Sequence, residues 1–298
     1  MLNPFPTGAK FTKISRIAAT CLILLLYQGV NPQSTYAEDD SLVNRPVNIY
    51  GLSGLLFTTA PYTLPLNTVE AGVSIISENS EVPNYRISEY TVSFAMGVPG
   101  NAEFACRSSY YELREDPVTA SAVQRKTGDL EVSYKWNFLA PSESSFRPAL
   151  SVQVAGMIPT QDSSDRNFNT VSQWGMRLGL SAGTEIAWGD HVVAIYADAE
   201  VNGKDPASQQ KRDFFEFANA GILLPISKYQ NLQMLAEYSL VYGKNRTLYD
   251  SGDYSGITYG IRLVNERFNL TIGTQFLHKQ NVSFDNSGRV IGLMSMKF

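Results

Sequence analysis

The sequence of 298 residues contains only two cysteines and two histidines, and 17% of its residues are charged. Cys21 lies in an apolar run near the N-terminus and Cys106 is the one cysteine beyond it, so a chain cleaved after that run has no cysteine pair for an intramolecular disulfide. After residue 37 no stretch keeps apolar residues at helical spacing, and none approaches the roughly 18 consecutive apolar residues of a spanning helix. A helical membrane protein is therefore excluded. The formal net charge of −4 argues against a nucleic-acid partner.

The N-terminal segment has the pattern of a secretory signal peptide. Three basic residues precede the apolar run "IAATCLILLLY" at 17–27, and Thr35 and Ala37 supply small residues before an acidic stretch. This pattern predicts cleavage near Ala37 and export of the chain from residue 38 onward. An N-terminal membrane anchor is the alternative, but the apolar run is too short to cross a bilayer as a helix.

The rest of the chain is dominated by alternation of apolar and polar residues, which predicts β-strands. In "RFNLTIGTQFLH" (267–278), for example, the apolar side chains fall on one parity and the polar ones on the other. Twelve strands are predicted, near residues 68–78, 87–98, 101–113, 128–139, 147–158, 173–188, 191–202, 214–225, 230–243, 255–264, 267–278 and 289–298.

The predicted connections alternate strictly between short and long. Short turns are predicted at 98–100, 189–190, 225–229 and 265–266, with 140–146 somewhat longer, and long polar loops at 79–86, 114–127, 159–172, 203–213, 244–254 and 279–288. Outer-membrane barrels sort their connections in this way, whereas a Greek-key sandwich has no reason to do so. The sequence therefore predicts an all-β protein: a single antiparallel up-and-down transmembrane β-barrel of about twelve strands over residues 68–298.

The last strand, "GRVIGLMSMKF" (288–298), keeps its alternation to the final residue. In this the chain resembles the outer-membrane β-barrels of Gram-negative bacteria. The resemblance implies that the barrel-assembly machinery reads Met294, Met296 and Phe298, that the protein lies in the bacterial outer membrane, and that lipids and lipopolysaccharide surround it.

Two further segments resemble a particular barrel family, the one associated with the meta pathway of phenol degradation. They are "GDLEVSYKW" (128–136) and "ALSVQVAGMIPTQD" (149–162), with Gln161 where that family tends to have glycine. The resemblance covers about 35 residues. It implies a barrel with a poorly defined transport role and identifies no functional residues.

Residues 38–67 precede the predicted barrel and do not fit its strand count. The segment is apolar but is interrupted by glycines and prolines, as in "GLSGLLFTTAPYTLPLNT" (51–68). One interpretation is a plug folded into the lumen from the periplasmic side. The alternatives are an extra hairpin, which would give fourteen strands, and a first strand at 48–58.

If the apolar parity faces lipid, the other parity lines the lumen and carries eight acidic and six basic residues. These predicted lumen-lining residues are Glu70, Glu103, Arg107, Asp129, Glu131, Lys135, Arg177, Glu185, Asp198, Glu200, Glu237, Arg262, Arg289 and Lys297. So many charges need water or partners, because an unpaired charge in a dry interior is very costly. A narrow, hydrated, weakly cation-preferring channel or transporter for small solutes is the first hypothesis. The alternative is a non-conducting structural or surface-interaction barrel that acts through its extracellular loops.

No catalytic motif, cofactor motif or metal cluster is found in the sequence. The two histidines, His191 and His278, fall at opposite ends of the predicted barrel and cannot act together. The sequence therefore predicts a protein that is not an enzyme and has no cofactor.

Overall fold

The computed structural model describes residues 45–81, 84–115, 123–140, 148–160, 174–188, 191–204, 213–226, 231–243, 254–279 and 288–298. The predicted signal peptide, 1–37, lies outside this set and stays a prediction. Within the described ranges, no helix has the length and apolar character needed to cross a membrane.

Twelve antiparallel strands form a closed barrel in which each strand pairs with its neighbours in sequence and the last pairs with the first. The strands are β1 (Val69–Glu81), β2 (Asn84–Val98), β3 (Ala102–Glu115), β4 (Val123–Leu139), β5 (Ala149–Ile158), β6 (Gly175–Trp188), β7 (His191–Lys204), β8 (Asp213–Pro225), β9 (Leu232–Gly243), β10 (Tyr254–Val264), β11 (Phe268–Lys279) and β12 (Gly288–Lys297). The predicted antiparallel up-and-down barrel is confirmed. The fourteen-strand alternative is wrong, because the sheet closes with twelve strands.

The barrel closes between β1 and β12, with Glu70 opposite Lys297 and Asn79 opposite Gly288. The pairing continues to the last residue, because Phe298 donates its N–H to the carbonyl of Val69 at 2.8 Å. The regular alternation of β12 is thus what a closing strand needs, since both its edges are paired.

The two faces of the sheet differ in chemistry. Large apolar side chains point outward and remain exposed, for example Val92 at 65%, Leu180 at 59% and Ile272 at 58%. Met294, Met296 and Phe298 belong to this outer face and are 45%, 46% and 74% exposed. Charged, polar and small side chains fill most inward positions. An exposed apolar surface that extends around a whole barrel is far larger than soluble monomers tolerate.

The predicted long loop at 79–86 is wrong. β1 runs to Glu81 and β2 begins at Asn84, and these two residues are paired, so most of the predicted loop belongs to the two strands. The polar residues here continue the two strands, because strand pairing satisfies their backbone groups whatever side chains they carry.

Candidate functional site: the lumen and its plug

Residues 45–66, called the plug from here on, lie inside the barrel and are almost entirely buried. The segment folds back on itself through two isolated bridges, Val47 with Ser53 and Gly54 with Thr59. Its first turn needs a left-handed residue, which Gly51 supplies with φ of 78°. The plug joins the wall where Leu66 bridges Gly97 of β2, just before β1 begins. Neither the extra hairpin nor a strand at 48–58 is found in this described segment.

Apolar side chains of the plug pack against apolar residues that interrupt the polar inner face of the wall. The larger cluster joins Ile49, Leu55, Leu56, Phe57, Ala60 and Tyr62 of the plug to Ala149, Val192, Ala194, Tyr196, Leu223, Leu235, Ile291 and Leu293 of the wall. A smaller cluster joins Val47, Leu52 and Leu64 to Ala95 and Ala105. Burying a Leu or Phe side chain contributes about 1.5–3 kcal/mol, so these contacts hold the plug in the lumen.

Inward-facing glycines make room for the plug. A Cβ atom added to Gly221 of β8 would lie 2.5 Å from Leu55 Cδ1, and one added to Gly273 of β11 would lie 2.7 Å from Leu56 Cδ1. On β2, a Cβ on Gly97 would collide with the carbonyl oxygen of Pro65. The wall is therefore shaped to the plug at three separate strands.

This fit predicts that Gly221→Ala lowers stability by about 1–3 kcal/mol, the usual effect of overpacking. Gly156→Ala is the matched control, because a Cβ there meets no atom within 4 Å. Urea unfolding of the folded barrel in detergent would measure both variants. Equal unfolding midpoints for the two variants would mean that the plug does not occupy its place against β8.

Carboxylates of the wall accept hydrogen bonds from the plug backbone. Glu237 of β9 accepts from three successive N–H groups, those of residues 56–58, at 2.7–3.3 Å. Asp198 of β7 accepts from the next one, the N–H of Thr59. These turn N–H groups have no strand partner, and a buried backbone donor without an acceptor is costly. The two carboxylates therefore fix the central turn of the plug.

A buried ion pair of the wall binds the plug on both sides of this central turn, at Ser53 and at Ala60 and Leu64. Glu103 of β3 accepts from the N–H groups of Ser53 at 2.8 Å and Leu64 at 2.9 Å. Lys135 of β4 donates to the Ser53 hydroxyl at 2.6 Å and to the Ala60 carbonyl at 3.2 Å. The Lys135 Nζ and Glu103 Oε2 atoms are 3.4 Å apart, and both side chains are fully buried.

Two further carboxylates hold the first residues of the plug. Arg45 Nη1 lies 3.0 Å from Glu185 Oε1 of β6, and its guanidinium stacks 4.0 Å from the centre of the Tyr62 ring. Glu70 of β1 accepts from the N–H of Val47 at 3.1 Å. Five strands thus contribute a carboxylate that binds the plug, because Glu103, Asp198 and Glu237 lie on three others.

Beyond the tip of the plug, charged side chains of the wall form a network. Glu131 binds Arg107 at 2.9 Å and also binds Arg177, and Arg177 Nη1 lies 3.5 Å from Glu200 Oε2. The ring of Tyr50, at the plug tip, lies between the two guanidinium groups at 5.0 Å and 4.9 Å. The tip is therefore held by stacking on two arginines whose charges are paired.

The structure places all fourteen predicted lumen-lining residues at inward positions of the strands. Arg107 and Arg262 also touch the plug, through the carbonyls of Ile49 and Gly54. Arg289 binds Glu78 at 2.7 Å. Asp129 within β4 and Lys297 at the end of β12 are partly exposed. Their binding of a solute stays a prediction.

Sequence reasoning did not single out two inward acids, Glu78 and Glu89, and it offered a plug at residues 38–67 without identifying which of its residues bind the wall. Glu89 accepts hydrogen bonds from Ser109 at 2.8 Å and from Tyr111 at 3.2 Å. Both acids lie in predicted strands beside the predicted loop 79–86, Glu78 at the end of 68–78 and Glu89 near the start of 87–98. The inward glycines Gly221 and Gly273 were the available signal for a plug, because glycine in a strand often marks a close approach.

His191 begins β7, at the end of the barrel where β6 turns into β7, and His278 lies near the far end of β11. The two side chains are therefore at opposite ends of the barrel. Among the residues that the structure describes, no group of three or more His, Cys, Asp or Glu side chains could hold a metal ion.

No protein-family model matches the chain, and no curated protein matches it. The resemblance to the barrel family associated with phenol degradation therefore gains no support from either comparison.

Solved structures with a similar fold exist, all at low identity. The translocator domain of the autotransporter NalP from Neisseria meningitidis is 13% identical, over 78% of this chain and 87% of that one, with a TM-score of 0.44. The NanC porin is 12% identical over 76% and 98%, with a TM-score of 0.45. A mutant of the TodX monoaromatic hydrocarbon channel is 9% identical over 83% and 97%, with a TM-score of 0.43. At these values the similarity does not indicate what this chain does.

Proposed function

We propose that this chain is an outer-membrane channel or transporter for small solutes, closed at rest by the plug. The apolar outer face of the barrel supports the proposed location in the outer membrane. Its strands are 10–17 residues long, and about 9–11 residues suffice for a tilted strand to cross a bilayer. Exposed apolar side chains on these strands suit contact with lipid. Lipids, lipopolysaccharide and the barrel-assembly machinery are the proposed partners of this face and of the closing strand β12.

The observation that carries the transport proposal is that a segment outside the twelve barrel strands fills the lumen. A sealed barrel can fill its interior with side chains of its own strands, as eight-stranded barrels do. Here the wall has glycines and carboxylates at the positions where the plug binds. Within the described residues the plug continues into the wall through residues 66–68 and β1, so a movement of the plug would not require the strand pairing of the barrel to open.

The polar contacts of the plug are suited to exchange with water, whereas its two apolar clusters oppose release. Each backbone N–H that leaves a wall carboxylate can bind water, and the carboxylate is hydrated in turn, so the exchange needs a modest free energy. The displaced plug would leave a lumen lined by more acids than bases. We expect such a pore to be hydrated and weakly cation-preferring.

A non-conducting barrel is the second candidate, and one observation favours it. The network of Arg107, Glu131, Arg177 and Glu200 crosses four strands beyond the plug tip with its charges paired. A wall built in this way can stabilise a sealed interior, and the function would then belong to the extracellular loops.

Substitution of Glu237 tests the transport proposal. Glu237→Ala leaves three buried N–H groups of the plug without an acceptor, and each costs about 1–3 kcal/mol. We expect uptake of a small sugar into liposomes to rise by about tenfold or more, since 1.4 kcal/mol corresponds to a tenfold change in population.

The control is Glu112→Ala, which removes a carboxylate of β3 that binds Arg114 and Arg125 at the barrel rim, away from the plug. Folding is checked by the heat-dependent mobility of closed barrels in SDS gels. Uptake that is unchanged in a folded Glu237→Ala protein would favour the non-conducting barrel.

A further inference from the structure

Arginine side chains on the outer surface of the barrel are confined to one sector. Strand parity and pairing place Arg86 of β2, Arg114 of β3 and Arg125 of β4 on the outer face, and all three residues are exposed. Within the described residues, no other arginine or lysine lies at an outward position of any strand. We call these three residues the arginine patch.

The three arginines are close neighbours on adjacent strands. Arg86 is directly opposite Arg114 in the pairing of β2 with β3, and Arg125 is opposite Glu112, two positions before Arg114. Since strands lie about 4.8 Å apart and rise roughly 3.3 Å per residue, the Cα atoms of Arg86 and Arg125 are about 12 Å apart. The patch is therefore wider than a single phosphate group.

One carboxylate serves the whole patch. Glu112 Oε1 lies 2.6 Å from Arg114 Nη2, and Glu112 Oε2 lies 3.4 Å from Arg125 Nε. Arg86 donates to the Ser77 hydroxyl at 3.1 Å and has no carboxylate partner among the described side chains. Like charges directly opposite each other on a sheet are destabilising. Three neighbouring arginines with one carboxylate therefore favour an anionic ligand.

Most guanidinium donors of the patch remain available to such a ligand. A guanidinium has five N–H donors in a planar fork, and the contacts with Glu112 and Ser77 use one or two of them on each arginine. The Arg114 and Arg125 side chains are 50% and 62% exposed. Because arginine binds phosphate through two parallel N–H bonds, each side chain can bind a phosphate while it keeps its present contact.

The patch lies just beyond the end of the apolar outer surface. On β2 the outward side chains are apolar or aromatic from Met96 to Tyr90, and Tyr90 is paired with the outward Tyr110 of β3. Tyrosine is typical of the membrane–water boundary. The patch lies two to four residues beyond this pair, or roughly 5–10 Å above it on strands tilted by about 40°. The headgroup layer of a bilayer is about 5–7 Å thick on each side, so the arginines reach the level of lipid phosphates.

The strand connections indicate which leaflet the patch faces. It lies near the end of the barrel where β3 is joined to β4 through residues 116–122, and the short turn between β2 and β3 lies at the other end. In the proposed outer-membrane location, the longer connections are extracellular. The patch then faces the outer leaflet, where lipopolysaccharide is the phosphorylated lipid.

We propose that the arginine patch binds the phosphate groups of one lipopolysaccharide molecule, through its lipid A part. Lipid A has a phosphate group at each end of a disaccharide, so it offers separated anionic groups to a patch of this width. Its acyl chains would lie against the apolar surface next to the patch, where Val92 is 65% exposed. The site rests on the proposed outer-membrane location and does not depend on whether the barrel conducts.

Native mass spectrometry of the purified barrel in detergent tests the arginine patch. The probes are lipid A and the same lipid after removal of its phosphate groups. We expect the barrel to bind intact lipid A about a hundredfold more tightly, since each arginine near a layer of lipid phosphates contributes roughly a factor of five. Arg114→Gln should weaken the binding of intact lipid A about fivefold. The triple variant Arg86→Gln, Arg114→Gln and Arg125→Gln should bind the two lipids equally.

Arg267→Gln is the matched control for Arg114→Gln, because Arg267 is also exposed but lies between β10 and β11 at the other end of the barrel. Its affinity for lipid A should equal that of the unchanged protein. Replacing all three patch arginines by lysine keeps the charge but removes the paired N–H bonds, so it should give an intermediate affinity.

Every variant is checked for the heat-dependent gel band of a closed barrel. Equal affinity for intact lipid A in the unchanged protein and in either glutamine variant would overturn the site. Equal affinity of the unchanged protein for the two lipids would overturn it as well. Displacement of lipid A by inorganic phosphate at the same concentration would show that the patch binds free anions, and would contradict a lipid site.

Discussion

Deletion of residues 45–66 is expected to raise the conductance of the barrel in planar bilayers at least about tenfold. The wall does not fill its own lumen where the plug binds, because glycines on β2, β8 and β11 face plug atoms there. With the plug gone, the carboxylates of Glu103, Asp198 and Glu237 would face water. Carboxylates that line a narrow pore favour cations, so the current should be weakly cation-selective.

The full chain, purified and inserted in the same way, is the control for this deletion. Both proteins must show the heat-dependent gel band of a closed barrel. An absence of current from a folded deletion protein would contradict the channel, and a strong anion preference would contradict the assignment of the carboxylates to the conducting surface.

Lys135→Ala is expected to lower the free energy of unfolding by about 3–5 kcal/mol, the usual effect of removing one partner of a buried ion pair. The change leaves the Glu103 carboxylate uncompensated in a site where both side chains are fully buried. It also removes the donor to the Ser53 hydroxyl and the Ala60 carbonyl of the plug. Urea unfolding in detergent, followed by tryptophan fluorescence, would measure the loss.

Arg125→Ala is the matched control, because it breaks an ion pair with Glu112 in which the arginine side chain is 62% exposed. Exposed pairs contribute about 0–1 kcal/mol. The double variant Lys135→Met and Glu103→Gln should lose less than Lys135→Ala, since no unpaired charge remains. A loss below about 1 kcal/mol for Lys135→Ala would contradict the plug contacts described at this pair.

The strands of the barrel could be predicted from the sequence because the alternation that marks a strand lies within a few consecutive residues. Alternation places each side chain on one of two faces, so the strand predicted at 267–278 corresponds to Phe268–Lys279 in the structure. The same parity placed Glu131, Arg177 and Glu200 on the inner face. It could not pair them, because the partners lie on different strands, 46 residues apart for Arg177 and Glu131.

The plug contacts were not predictable for the same reason. The bond from the N–H of Leu56 to Glu237 joins residues 181 positions apart, and the bond from Ser53 to Glu103 joins residues 50 apart. Neither spacing leaves a local pattern. Glycines and prolines did indicate that 51–65 was not an ordinary strand, but several folds of that segment were compatible with them.

A disulfide between the plug and the wall tests most directly whether movement of the plug opens the barrel. A Cβ on Gly51 would lie 3.2 Å from Ser93 Cβ of β2, close to the roughly 3.5–4.5 Å of disulfides. Gly51→Cys and Ser93→Cys would be combined with Cys106→Ser and with Glu237→Ala, which loosens the plug. The positive φ at Gly51 adds a cost of about 1–2 kcal/mol, and the same protein in its reduced state controls for it.

We predict channel openings in planar bilayers when the pair is reduced, none when it is oxidised, and recovery after addition of reductant. Identical currents in the two states, or no current in either, would contradict a channel gated by its plug.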